Sequence, residues 1–270
     1  MDPPRSPDIV VIGAGAAGLG AAGRLARSGA QFVVLEGRAR VGGRAHTRTI
    51  DGLPLDLGCG WLHSAGRNGW VPIAKRLGLE IDRSPPAWSR PPLNFAADEQ
   101  KTYRRAFARF EDELERAAAA GIEGPASSLF THVEPRWRPL LDAFSGYYNG
   151  APFEEISIQD YAAYDPTNDN WRVRAGYGAL MQAFAASLPI ALDCPVSIVD
   201  RTGAKLRLTT ARGALEAKAV IVCVPTTVLA EERLRIVPAA REKLEAAAAL
   251  PLGNVDKAFL RLADADRFDP

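Results

Sequence analysis

The chain is 270 residues long, 47% apolar and 24% charged, with a formal net charge of +1. These proportions are those of a globular protein with a sizeable core, and the balanced charge excludes a generic polyanion binder while leaving room for a local charged patch. No apolar run is long enough to span a membrane, and the polar, proline-rich start MDPPRSPD is neither a signal peptide nor an Arg/Ser-rich transit peptide.

The first predicted element is a buried strand at Ile9–Ile12, followed by Gly13, Gly15 and Gly18 in the G-x-G-x-x-G spacing. A helical stretch to about Ser28 comes next, then a second strand over 31–35 that ends on Glu36. This order is a dinucleotide-binding βαβ unit. Gly13 allows the tight turn, Gly15 lets the backbone approach a pyrophosphate, and Gly18 lets helix and strand pack closely. The helix N-terminus offers free N–H groups and partial positive charge to the phosphates. Glu36 can accept hydrogen bonds from an adenosine ribose and would repel a 2′-phosphate. The unit could serve NAD or FAD. The sequel Arg40-Val41-Gly42-Gly43-Arg44 is a loop able to wrap a second stretch of phosphate, with a guanidinium as bidentate partner, and it tilts the reading towards FAD.

Beyond that loop, 48–57 reads as a strand and turn around Asp51-Gly52, and LDLGCGWLHSAGRNGW as a glycine-punctuated loop carrying Trp61 and His63. A short helix is expected over 71–77. The proline-rich stretch 84–95 reads as a crossing between domains. After it, Tyr103, Phe107, Phe110, Leu114 and Ala118 mark one face of an amphipathic helix, and further helices are expected over 136–148 and 158–164. From Trp171 the pattern turns again: a helix over 179–188, strands over 195–199 and 205–210, and LEAKAVIVCVP as one buried strand stopped by Pro225. These strands are expected to return to the nucleotide-binding sheet. A helix over 239–249 leads into a strand-like run from Leu250 to the end. Cys59, Cys194 and Cys223 are odd in number and lack metal-ligand spacing, which points to a reduced, cytoplasmic setting and no metal site. Cys223, within AVIVCV, is expected as a buried thiol.

Four blocks in order, VVIGAGAAGLGAAGRLARSG, VVLEGRARVGGRAHT, LDLGCGWLH, and the pair RAGYGAL and AVIVCVPTTVL, together with the shorter LGNVDKAFL, closely resemble the N-terminal part of the flavin-containing amine oxidases. That family includes monoamine and polyamine oxidases and the flavin-dependent lysine demethylases, and the feel is nearest to the polyamine-oxidase-like members. The resemblance implies an α/β fold, a Rossmann-like FAD-binding domain with an inserted α+β substrate domain, C-terminally incomplete. The expected segments are 1–82 and 171–232 for the FAD-binding domain, and 83–170 (mainly helical) and 233–270 for the substrate domain. It further implies that Gly13, Gly15, Ala17, Gly18, Glu36, Arg38, Gly42, Gly43 and Arg44 hold the ADP half of FAD. The backbone around Gly58 and Trp61 would pass the isoalloxazine ring, and Val196 would meet the adenine through its main chain. Taken without the resemblance, Arg38 is equally a solvated surface arginine, and Trp61 a core anchor of its loop.

The implied activity is oxidation of an amine to an imine, with O2 reduced to H2O2, on a small-molecule amine such as a polyamine. Lys257 stands in an otherwise apolar run, where desolvation would favour ordered contact with a water; the resemblance makes it the lysine that positions a water at the flavin. By itself it reads as a strand-surface lysine. His63 matches a position near the substrate entrance in polyamine-oxidase-like members, where a neutral imidazole could hydrogen-bond a distal amine; the alternative is a loop histidine satisfied by backbone. His46 and His132 show no constellation. Without a Ser-His-Asp arrangement or metal cluster, hydrolase and metalloenzyme readings fall away, and no nucleic acid or membrane partner is expected. Family members are typically much longer, so the chain is expected to be a fragment, completed by a C-terminal segment or catalytically inert. Another FAD oxidoreductase with the same front end, of the amino-acid oxidase, protoporphyrinogen oxidase or carotene desaturase type, remains the alternative.

Overall fold

In the computed structural model, which describes residues 7–86, 96–165, 167 and 169–263, the first strand, β1 (Ile9–Ile12), is apolar on both faces because it lies inside a sheet. Val10 and Val11 are fully buried, as expected of a parallel strand covered on both sides. Helix α1 (Ala16–Ala26) sets Leu19 and Ala22 against that sheet and crosses over to β2 (Phe32–Leu35), which pairs with β1 in parallel. The hairpin β3 (Thr47–Ile50) and β4 (Leu53–Asp56) turns at Asp51 and Gly52, both with positive φ, the conformation that matches strand twist in tight hairpins. Helix α2 (Trp70–Arg76) and the short β5 (Ile81–Asp82) follow. Residues 87–95, most of the proline-rich crossing, lie outside the described residues.

The helical region is one compact unit, Pro91–Asp165 with Gly253–Pro270. Its long helix α3 (Ala97–Ala119) buries Phe110, Leu114 and Ala117 and half-buries Tyr103, Phe107 and Ala118 against the same cluster, the face that sequence periodicity marks. A 3-10 turn at Pro135–Trp137 runs into α4 (Arg138–Tyr148). Helix α5 (Ile158–Ala163) begins at Ser157, whose side chain accepts from Asp160 N–H as an N-cap. Phe110, Phe130 and Phe153 meet with ring centroids 4.7 to 6.0 Å apart and centre this core.

The other unit, Met1–Arg90 with Pro166–Leu252, resumes at β6 (Arg172–Val173), which pairs antiparallel with β5. After α6 (Tyr177–Ala185) and β7 (Ile190–Ala191) come β8 (Val196–Asp200), β9 (Leu206–Thr210), β10 (Gly213–Ala217) and β11 (Ala219–Val222). The chain then forms α7 (Thr226–Ala230), β12 (Arg235–Val237) and α8 (Arg241–Ala248). The nucleotide-type sheet runs β11-β1-β2-β7 and is parallel throughout; a second sheet runs β10-β9-β8-β12.

Three expectations are corrected. LEAKAVIVCVP is two strands: the chain bends at Lys218, held by Lys218 N–H to Asp8 O and by Lys218 Nζ to Asp8 at 2.8 Å, and changes sheet there. Strands β8, β9 and β10 do not join the nucleotide-type sheet, because short connections impose antiparallel pairing and they pair among themselves; β7 and β11 are the strands that return. The run after Leu250 has no regular structure over 251–262. A strand needs a neighbour for its backbone groups, and here Asn254 N–H reaches Gly150 O at 2.8 Å while Leu252, Val255, Phe259, Leu260 and Leu262 stay exposed. Residues 264–270 of that run lie outside the described residues. Among the described residues no helix is long and apolar enough to cross a membrane.

Candidate functional site

The glycine-rich turn sits where β1 ends and α1 starts. Gly13 has φ of +100°, and a Cβ there would come 2.8 Å from Cys223 O. A Cβ on Gly18 would overlap the carbonyl oxygen of Gly13, so helix and strand are as close as backbones allow. Cys223 is only half-buried, a correction to the expected buried thiol, because it stands one residue past β11 beside this turn; burial still pushes its thiol pKa up. No side chain caps the start of α1.

Glu36, at the end of β2, is buried at 8% exposure. One carboxylate oxygen accepts Ala14 N–H at 2.7 Å and the other Arg38 N–H at 2.9 Å. Sequence reasoning missed this double role: Glu36 fixes the shape of the glycine turn, while a carboxylate oxygen keeps lone-pair capacity for a further donor such as a ribose hydroxyl. Strand end and loop then bring in Val196. Glu36 O accepts Cys194 N–H (2.8 Å) and Arg38 O accepts Asp193 N–H (3.0 Å), which carries the buried Val196, first residue of β8, alongside Glu36 and Arg38.

The diglycine loop folds onto the glycine turn. Gly42 N–H donates to Ala14 O at 2.8 Å, Gly15 and Gly42 form a parallel bridge, and a Cβ on Gly43 would lie 3.1 Å from Gly15 Cα. A side chain at Gly43 would press the two loops apart, and one at Gly42 would overlap Ala45 O within its own loop. Arg38 and Arg44 are exposed and Arg40 is half-buried, its guanidinium donating to Val41 O. Burial and then Arg38 lower the Arg40 pKa, with Glu36 opposing. His46 is also lowered, by burial first and then by Arg40, Arg48 and Arg38, so it stands neutral within an electropositive group. The alternation R-A-R…R-A-H-T-R over 38–48 is the signal that could have placed His46 there. Two glycine loops, an uncapped helix start and clustered guanidiniums fit a dinucleotide diphosphate.

Trp61 is half-buried, with the Arg172 guanidinium 4.9 Å from its ring centre and Arg172 bound in turn to Asp82 at 2.7 Å. Leu62 bridges Trp171. His63 is exposed; its Nδ1 lies 2.7 Å from Asn170 Oδ1, and its carbonyl accepts from Asn68 Nδ2 at 3.0 Å. With Nδ1–H donating, Nε2 keeps its lone pair. Lys257 lies on the exposed, irregular segment of the other compact unit. The desolvation expected from its apolar neighbours is not found, since Val255, Phe259 and Leu260 are themselves exposed.

A model of the family described as flavin containing amine oxidoreductase matches residues 16–131 and 105–265. Pseudooxynicotine dehydrogenase of Pseudomonas sp is 26% identical over 262 residues, covering 83% of this chain and 52% of that protein. Polyamine oxidase 2 of Arabidopsis thaliana is 46% identical over 81 residues, 30% of this chain and 16% of that protein. Among solved structures, putrescine oxidase bound to putrescine superposes with a TM-score of 0.71 at 21% identity, over 90% of this chain and 63% of that one. Cyclohexylamine oxidase from Brevibacterium oxydans IH-35A gives 0.70 at 20%, with the same coverage. These likenesses establish the fold. The chain spans about half the length of the curated relatives that it matches over most of its own length.

Proposed function

The chain belongs to the flavin-containing amine oxidoreductase family, its cofactor is FAD, and from that premise we propose that it oxidises the C–N bond of a small amine to an imine, with O2 as the electron acceptor. The observation that carries the reading is the seating of the Gly42–Gly43 loop on the Gly13–Gly18 turn, locked by Gly42 N–H to Ala14 O, which sets a second glycine loop beside the N-terminus of α1, where an anion is favoured. The chemistry that FAD supplies when bound is acceptance of two electrons from the carbon beside the amine nitrogen, so that the substrate leaves as an imine and O2 as H2O2.

In this reading Gly13, Gly15, Ala17, Gly18, Gly42 and Gly43 present backbone to the pyrophosphate, and Arg38 and Arg44 add charge. Glu36 accepts from the adenosine ribose and the Val196 main chain meets the adenine. Gly58 and Trp61 flank the ring system. His63, with Nδ1–H held by Asn170, offers Nε2 to a distal ammonium of a polyamine. Lys257 holds a water by its ammonium N–H groups. The three free cysteines support a reducing, cytoplasmic compartment.

The test is a panel of putrescine, spermidine, spermine, cyclohexylamine and pseudooxynicotine, read both as peroxide and as reduction of an artificial dye. Peroxide with a polyamine is the expected result. Dye reduction without peroxide would place the chain with dehydrogenases, the activity named for its Pseudomonas relative. No turnover of any amine by a flavin-loaded chain overturns the proposal.

A further inference from the structure

One polar cluster in the Rossmann unit is absorbed neither by the cofactor cradle nor by substrate binding. Asp56 ends β4, and Thr47 opens β3 opposite it in the hairpin register. The Thr47 hydroxyl donates to Asp56 Oδ1 and accepts Gly178 N–H at 2.8 Å. Asp56 Oδ1 and Oδ2 also accept Tyr177 N–H, at 3.0 and 3.2 Å. These are the first two N–H groups of α6, which the helix itself leaves without partners. Gly176, the N-cap residue, has no side chain to cap them. The cap is supplied from elsewhere in the chain, and a carboxylate is well suited to the positive end of a helix.

The glycines of R-A-G-Y-G are explained by this cluster. Gly176 has φ of +94°, and a Cβ there would overlap the Thr47 side chain; a Cβ on Gly178 would overlap Thr47 N. On its other side the cluster faces the loop that follows β4. A Cβ on Gly60 would come 3.0 Å from Asp56 Oδ2, and one on Gly58 would overlap Arg44 O. Cys59 N–H donates to Arg44 O at 3.1 Å and Leu57 N–H to His46 O at 2.8 Å. Tyr177 is buried beneath this junction at 9% exposure, and burial followed by the charge of Cys59 pushes its hydroxyl up to about 12.

We propose that Asp56 and Thr47 form a latch that fixes the Gly58–Trp61 loop to the start of α6, so that the loop's backbone is held in one conformation before the flavin arrives. Asp56 is thus a positioning residue, and its purpose rests on the reading of Gly58 and Trp61 as flanking the flavin. The latch works because both oxygens of a carboxylate accept while Thr47 both donates and accepts. Removing either side chain takes an acceptor from a helix N–H, and removing Asp56 also takes away the carboxylate against which Gly60 is packed.

The test uses four substitutions in the whole chain. Asp56→Asn removes the charge and Thr47→Val removes the relay at constant shape, while Thr47→Ser keeps the hydroxyl. Losing one such hydrogen bond should raise amide exchange about tenfold over 57–62 and 176–180 in the first two variants, with β9 and β10 unchanged as internal control. The FAD dissociation constant should rise by a similar factor, and the visible circular dichroism of the bound flavin should change, whereas Thr47→Ser should keep wild-type values in all three. Asp56→Ala is the severe form, and Asp56→Asn and Thr47→Val keep the test open if it does not fold. Wild-type exchange over 57–62 with loosening confined to 176–180 would reduce Asp56 to a helix cap and overturn the latch, as would unaltered dichroism and FAD affinity in both variants. A wild-type chain that binds no FAD removes the parent reading instead, and the exchange comparison then decides the latch alone.

Discussion

Glu36 shows how a single side chain can serve fold and ligand at once. Its carboxylate takes two backbone N–H groups, from Ala14 and Arg38, before any ribose is present. Glu36→Gln puts an amide N–H2 where an acceptor is needed, and leaving a buried donor unsatisfied costs about 1–3 kcal/mol. The FAD-free chain should therefore melt at a lower temperature in this variant; an unchanged melting temperature with weaker FAD binding would confine Glu36 to the ribose. Lys257→Met is the matching test for the residue proposed on the other compact unit. It should slow flavin reduction or reoxidation while FAD stays bound, and wild-type stopped-flow rates would sink the role proposed for Lys257. The two residues differ in how far the sequence reveals them. Glu36 is placed by a strand-turn-helix-strand order whose spacing is set by local geometry. The surroundings of Lys257 are not legible in the sequence, because an apolar run suggests a strand, and a strand is defined by its partner's hydrogen bonds, which no local pattern contains.

Elements separate along the same line. The parallel strands β1 and β2 and the hairpin β3–β4 are legible because apolar runs and an Asp-Gly turn are local signals. The division of residues 213–222 between two sheets is not, since the alternation of Leu215 and Ala217 runs without a break into Val220 and Ile221; only Lys218, with its bonds to Asp8, marks the switch. The same holds for β5 and β6, two-residue strands too short to show a period. They are held by Asp82, whose carboxyl is lowered to about 2, first by the side chain and backbone N–H of Ser84 and then by Arg172. A carboxyl lowered in the folded state stabilises above its ordinary value and ceases to do so as pH falls through the lowered one. The Asp82 contribution is therefore complete above pH 3.8 and lost on acidification towards about 2. Fluorescence of Trp61 and Trp171, which Arg172 and Arg83 cover, should report an acid step in that window. In Asp82→Asn the step should vanish and the signal should be shifted already at neutral pH; an identical step in both would assign it to another carboxyl.

At the scale of the whole molecule, the net charge of +1 conceals two opposite balances. Met1–Arg90 with Pro166–Leu252 carries twenty-three Lys and Arg against fifteen Asp and Glu, whereas Pro91–Asp165 with Gly253–Pro270 carries ten against seventeen. The positive excess falls on the unit that holds the glycine loops, and Arg38, Arg40 and Arg48 concentrate it around His46. A dinucleotide diphosphate is anionic, so the field of that unit should speed its encounter, and exposed charges separated by more than a Debye length are screened by salt. Raising ionic strength from about 0.01 M to about 0.15 M shortens that length from about 30 Å to about 8 Å. The association rate of FAD with the apo chain should then fall several-fold, while its dissociation rate changes little. Locus distinguishes this from a general salt effect. Replacing Arg48 by Glu should flatten the salt dependence by reversing a charge beside the cradle, without removing any group that the glycine loops use. Replacing Glu123 by Lys, on the acidic unit, makes an equal and opposite change in net charge and should leave the slope nearly as it was. Equal and opposite changes of slope in the two variants would show that only total charge matters, and the concentration of positive charge at the loops would then have no part in capturing the cofactor.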